Sequence, residues 1–214
     1  MPLYYQQDIN ETTKLGIWEI SEPLSFFLEK VTLNLPVSHP HKQLQHLAGR
    51  YLLRVLYPDF PLELIAIADT RKPYLPDEQY HFSISHCGRF AAAIVSSDKR
   101  VGIDIENITE RVHKVKHKFL NKEELKLVAN YRNQTEILTL LGSCKEAMFK
   151  WWGRGELDFS DNMHINYFLA SDHGQTPFFD LSAQFQKNNF GIHLTLNCYL
   201  TAELSLVWIV TEPF

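Results

Sequence analysis

The chain has 214 residues, of which 45% are hydrophobic and 21% charged, with a formal charge of −4 and ten histidines. That composition is ordinary for a globular protein, long enough for one sizeable core or two small lobes. The acidic balance argues against a general nucleic-acid binder, which would be basic, and no apolar run approaches a membrane span. Met1 to Gln6 lacks the basic-then-apolar pattern of a secretory signal. Cys87, Cys144 and Cys198 are too few and too scattered for a disulfide framework or a cysteine zinc site, so a reduced cytoplasm is the expected setting.

In chain order, Lys14 to Ile20 reads as a strand, ended by the helix-start signal Ser21-Glu22-Pro23 before Leu24 to Leu28. Ser38-His39-Pro40 opens an amphipathic helix running to about Leu56, with Leu44, Leu47, Leu52, Val55 and Leu56 on its apolar side. Pro58 and Pro61 end it. Leu64 to Ile67 is a short strand, and Asp69 to Pro73 is a turn-rich loop. Three strands follow closely, His81 to Ser85, Phe90 to Ser96 and Val101 to Glu106, joined by hairpin-length turns. Arg111 to about Asn130 is helical, broken near Asn121, which can cap a new helix starting Lys122-Glu123-Glu124. Thr135 to Trp152 is a helix burying Ile137, Leu138, Leu141, Cys144, Met148 and Trp151 or Trp152, stopped by Gly153-Arg154-Gly155. Strands at Met163 to Leu169, around Gln184, Gly191 to Leu200 and Leu204 to Val210 complete the chain. Each half supplies helices and an antiparallel sheet, which predicts an α+β protein of two similar lobes, 1–105 and 106–214.

Two stretches carry chemistry. In Val101 to Glu106 the aliphatic residues alternate with Gly102, Asp104 and Glu106, so both carboxylates project from one face of a half-buried strand. Alternate residues on a strand lie about 6.5–7 Å apart, close enough for two carboxylates to share a cation. In Lys145 to Lys150, Glu146 and Lys150 stand at i and i+4 on one helix face. Alone, the first is a solvated strand face and the second a surface ion pair. Together they offer hard oxygen ligands, of the kind Mg²⁺ takes, beside a cation for an anionic ligand. Ser85-His86, Arg71-Lys72-Pro73 and the helix residues Lys42, Arg50 and Arg54 add polar groups and cations that a ligand with several phosphates would need.

The ordered set Lys72-Pro73, Phe82 to His86, Gly102 to Glu106, Phe119 to Glu124, and Lys145 to Lys150 followed by Gly153-Arg154-Gly155 resembles the 4′-phosphopantetheinyl transferase superfamily, in its two-lobed, monomeric form. The resemblance covers roughly Lys42 to Gly155. It implies two lobes related by a pseudo-twofold axis, and transfer of the phosphopantetheine arm of coenzyme A to a serine of an apo acyl or peptidyl carrier protein, releasing adenosine 3′,5′-bisphosphate. By the same resemblance Asp104, Glu106 and Glu146 are the magnesium ligands. Glu124 and Glu146 are candidates to deprotonate the serine, with Glu123 one register step away. Lys150 meets the pyrophosphate, while Lys72, Ser85 and His86 are coenzyme A contacts, together with the looser matches Lys42, Arg50 and Arg54; Asp104 reaches the same pyrophosphate through the metal.

Three positions depart from the family pattern. Gly142 stands where an aromatic residue is common, Phe119-Leu120 replaces an aromatic pair, and Ser83 replaces a frequent asparagine. None removes an acid or Lys150. Arg111, Lys114, Lys116, Lys118 and Lys122, interleaved with Val112, Val115 and Phe119, read either as a solvated helix face or as a surface that steers an acidic carrier. Two other readings remain open from the residues: a coenzyme A- or carrier-binding module without turnover, and a magnesium-dependent phosphohydrolase built on Asp104 and Glu106.

Overall fold

A computed structural model describes residues 2–32, 39–166 and 177–214. The expected helix-start residue Ser38 and the end of the strand predicted to reach Leu169 lie outside them. The chain divides into two compact units, one of residues 1–105 with 210–214 and one of residues 106–209. The last five residues therefore belong with the first unit rather than with the second half. Among the described residues no helix is long and apolar enough to cross a membrane.

The first unit begins with β1 (Leu3–Asp8), β2 (Thr13–Glu19) and the short α1 (Leu24–Leu28), followed by α2 (Pro40–Leu56). A two-strand ribbon, β3 (Ala66–Ile67) and β4 (Pro73–Tyr74), leads into β5 (His81–Cys87) and β6 (Phe90–Ser96). The main sheet runs β1-β2-β6-β5, antiparallel throughout. Its central strand β6 is buried along its whole length, which explains why Phe90 to Ser96 shows no polar alternation. Leu47, Leu52, Leu53 and Leu56 of α2 are at most 1% exposed and pack in one cluster with Phe82, Ala91, Ala93 and Val95 of the sheet. Each buried leucine contributes about 1.5–3 kcal/mol. Gly49 lets the helix close on β5: a Cβ there would lie 2.6 Å from Ile84 Cγ2.

The unit boundary falls within β7 (Arg100–Asn107). The second unit continues with α3 (Val112–Val115), α4 (Lys122–Val128), α5 (Gln134–Trp152) and α6 (Phe159–Asn162). Its strands are β8 (Met163–Ile165), β9 (Phe178–Lys187), β10 (Phe190–Leu200) and β11 (Leu204–Thr211), in a sheet ordered β7-β11-β10-β9-β8. Helix α5 is the spine of this unit. Leu138, Leu141, Cys144, Met148 and Trp151 are 0% exposed and share a core with Met163, Leu181, Phe185, Leu196 and Val207. It stops at Gly153, whose φ of 71° lies in the left-handed region that glycine occupies without a Cβ penalty.

Candidate functional site

In the first unit, α2 turns Lys42, His46 and Arg50 to one side, since residues four apart are neighbours on a helix. Lys42 is exposed, and His46 and Arg50 are half-buried. Strand β5 brings up His86, whose ring centroid lies 5.2 Å from that of His46. Arg50 Nη1 donates to the His46 carbonyl oxygen at 3.3 Å. Burial chiefly, then the charges of His86, Arg50 and Lys42, lower the His46 imidazole to about 4. A basic group crowded by other basic groups is a ready anion site, because a negative charge placed there relieves all of them at once. His46 was not singled out in the sequence; its four-residue spacing from Lys42 and Arg50 was the available signal.

Arg54 does not join this cluster. Its Nε donates to the Phe60 carbonyl at 3.4 Å and its Nη2 pairs with Glu63 Oε2 at 3.1 Å, so it fastens the chain that follows α2. Lys72 keeps different company as well. Burial first, then Arg100, bring its ammonium down to about 8, and both Lys72 and Arg100 act on His81, which burial also lowers.

Strand β7 departs from the expected alternation. Val101 to Ile105 are buried on both faces and only Glu106 is exposed; Asp104 is 2% exposed. The cause is β5, whose hydroxyls cover the polar face. Ser85 Oγ donates to Asp104 Oδ1 at 2.8 Å, and Ser83 Oγ accepts from the Ile103 amide at 3.2 Å. Ser85, expected as a ligand contact, therefore orients Asp104, and Ser83 serves the strand backbone.

In the second unit, α5 presents Glu146 and Lys150 as half-buried neighbours, while Lys145 turns inward and is 0% exposed. Lys145 Nζ donates to Glu124 Oε2 at 2.6 Å and to the Phe159 carbonyl at 3.1 Å. Burial draws this ammonium below the ordinary lysine value, and Glu124 opposes the fall. Glu124 is 3% exposed. Its Oε2 also accepts from the Asn121 amide at 2.9 Å, closing the capping box of α4, and its Oε1 accepts from the Ile165 amide at 3.1 Å. A carboxylate spent on an ammonium and two backbone amides is an anchor tying α4 to α5 and β8. Its neighbour Glu123 is exposed and pairs with Lys126 at 3.0 Å. Gly142 faces the Phe119 ring, which would sit 3.6 Å from an added Cβ; Phe119 thus occupies the space an aromatic residue at 142 would need.

Asp104, Glu106 and Glu146 are all carboxylates, the donors a hard cation selects. Among the described residues, no three His, Cys, Asp or Glu are gathered closely enough to hold a metal ion by themselves. Mg²⁺ commonly uses one or two carboxylates and completes its shell with water and substrate phosphates, so the donor chemistry fits without a preformed cage.

The fold is thus α+β, antiparallel sheets packed with helices, carrying a basic cluster in one unit and an acid–lysine helix in the other. Residues 100–202, close to half of the chain, match the model of the 4′-phosphopantetheinyl transferase superfamily. Over this stretch the chain is similar to members of that superfamily. It is 34% identical over 113 residues to enterobactin synthase component D of Escherichia coli strain K12, covering 51% of this chain and 54% of that one. It is 32% identical over 113 residues to a 4′-phosphopantetheinyl transferase of Bacillus subtilis, covering 48% and 50%. The matches thus span about half the length of these curated relatives.

Proposed function

We propose that this chain transfers the 4′-phosphopantetheine arm of coenzyme A to a serine of an apo carrier protein and releases adenosine 3′,5′-bisphosphate. One observation carries the reading: the matched stretch, residues 100–202, contains Asp104, Glu106, Glu124, Glu146 and Lys150 together. The basic cluster of Lys42, His46, Arg50 and His86 supports it, because coenzyme A is a polyanion that needs cations outside the reacting centre.

In the proposed step the serine Oγ bonds to the pyrophosphate phosphorus nearest the pantetheine. The bond from that phosphorus to the bridging oxygen breaks, and the oxygen leaves on adenosine 3′,5′-bisphosphate. Glu146, half-buried on α5, takes the serine proton, directly or through water. Lys150, one turn on, balances the charge gathering on the departing phosphate. Glu124 holds Lys145, and with it the register of α5. Ser85 fixes the Asp104 carboxylate. Asp104, Glu106 and Glu146 are the residues that would hold Mg²⁺, which when bound neutralises pyrophosphate charge as a Lewis acid.

The exposed basic residues Arg111, Lys114, Lys118 and Lys122 suit an acidic carrier. Monomeric action in the cytoplasm belongs to the same proposal.

Mass spectrometry of an apo carrier protein incubated with coenzyme A and Mg²⁺ tests it. The carrier should gain the phosphopantetheine mass, and Asp104→Ala should abolish the gain. Absence of any gain across a panel of fatty-acid, polyketide and peptide-synthetase carriers would overturn the reading, and release of phosphate without an acceptor would replace it with hydrolysis.

A further inference from the structure

His46 is a histidine set among cations. From its own helix Lys42 and Arg50 act on it, and from β5 His86 does; the charged neighbours acting on it among the described residues are all basic. Its ring is half-buried and stacked at a tilt of 58° against that of His86. The Arg50 guanidinium is itself tethered to the His46 carbonyl, so that cation stays beside the imidazole rather than swinging away from it. Like charges on its own helix and on β5 keep the half-buried His46 imidazole in the neutral form.

We propose that His46 is a ligand-triggered proton acceptor: a phosphate group settling among Lys42, His46, Arg50 and His86 draws one proton from solvent onto the imidazole as it binds. The proposal rests on the coenzyme A reading above and adds to it a residue with a defined task. The neutral ring keeps the empty cluster from accumulating another positive charge. Once an anion of charge near −2 arrives, the Coulomb balance at the ring reverses and the imidazolium becomes the favoured form. His46 then donates from both ring nitrogens, one hydrogen-bond donor more than it offered before. The protein thereby gains a cationic contact that exists only when an anion is present, and binding becomes tighter as pH falls towards the range where free His46 protonates. A neutral hydrogen-bonding residue at this position would bind the same anion without taking up a proton.

The test is a pH titration of the histidine ring ¹H–¹³C signals of the whole protein, free and saturated with coenzyme A, with His46 assigned by the signal missing in His46→Gln. The expected result is an upward move of about 1–3 pH units in the His46 midpoint on binding. Calorimetry in two buffers of different ionisation enthalpy should show proton uptake that exceeds that of His46→Gln at the same pH. Dephospho-coenzyme A separates the sources of charge. A rise with coenzyme A alone assigns the phosphomonoester to the cluster, a rise with both assigns the pyrophosphate, and each supports the inference. Saturable coenzyme A binding that leaves His46 neutral and the buffer dependence unchanged in His46→Gln overturns this inference and leaves the transfer reading intact. No binding of coenzyme A at all overturns that reading itself.

Discussion

Lys145 Nζ and Glu124 Oε2 lie 2.6 Å apart, with side chains only 0% and 3% exposed, inside the unit that carries Glu146 and Lys150. Removing one member of a buried pair leaves the other charge without compensation, at a cost of about 3–5 kcal/mol. Lys145→Met should therefore lower the urea midpoint sharply, and Glu124→Gln should do the same to a smaller degree. The double variant Glu124→Gln/Lys145→Met should recover part of the loss. Strict additivity of the two single changes would show that the pair is not coupled.

Gly49→Ala should destabilise the first unit. The new methyl meets Ile84 Cγ2 at 2.6 Å, and the branched side chain is stiff at its first torsion. Overpacking of this kind costs about 1–3 kcal/mol, against a gain of about 1 kcal/mol in helix propensity. Adding Ile84→Ala removes the clashing atom, so the pair of changes should cost less than their sum. A more stable Gly49→Ala protein would contradict the close packing of α2 on β5.

Ser85→Ala removes the hydroxyl that donates to Asp104 Oδ1 at 2.8 Å. Loss of one partner of a buried polar group costs about 1–3 kcal/mol. On the proposed function, the Mg²⁺ concentration for half-maximal transfer should rise several-fold while the coenzyme A KM changes little. Ser85→Thr should restore much of the difference; equal Mg²⁺ dependence in all three proteins would detach Ser85 from the proposed metal ligand.

Stability should fall as pH drops from about 6.5 towards about 4, the ordinary and folded values of His46. In that window the unfolded chain binds a proton that the folded chain refuses, so acid favours unfolding. Because the ring is half-buried, solvent screening reduces the effect to the order of 1 kcal/mol. His46→Asn should flatten this part of the stability profile, measured by chemical denaturation at pH 7, 6 and 5. Parallel profiles would remove His46 from the account.

Reversing Lys114 and Lys118 to glutamate should raise the carrier KM about tenfold or less and leave coenzyme A binding unchanged, because exposed charges act mainly on encounter. An unchanged carrier KM would return these residues to the role of a solvated face.

Local pattern revealed much of the fold. Phe90 to Ser96 and Leu24 to Leu28 are found with the predicted bounds, and the predicted helix Thr135 to Trp152 appears as Gln134–Trp152. These are strong runs, where propensity and burial agree. Strand β1 escaped notice because Leu3–Asp8 is a polar edge strand, Tyr-Tyr-Gln-Gln at its centre, without a hydrophobic run to mark it. The helical stretch from Arg111 to Asn130 breaks near Asn121 as expected, into α3, a 3-10 turn and an α4 capped by Asn121; the 3-10 turn before the cap was not foreseen. At the candidate site, residue types were legible and partners were not. Nothing in the spacing announced that Glu124 would reach Lys145 and Ile165, 21 and 41 positions away. Nor did it show that Ser85 would turn towards Asp104, or that Arg54 would be drawn off to Glu63.

Lys99 meets Glu212 at 2.9 Å, and the Arg100 guanidinium lies 4.4 Å from the centre of the Phe214 ring, across more than a hundred intervening positions. A ribosome making this chain releases the strands of the first unit early, yet Glu212 and Phe214, which meet Lys99 and Arg100, emerge only after the whole of the second unit has been synthesised. The nascent protein must therefore carry an open seam until the second unit has been made, when residues 210–214 fasten to the part that was made first.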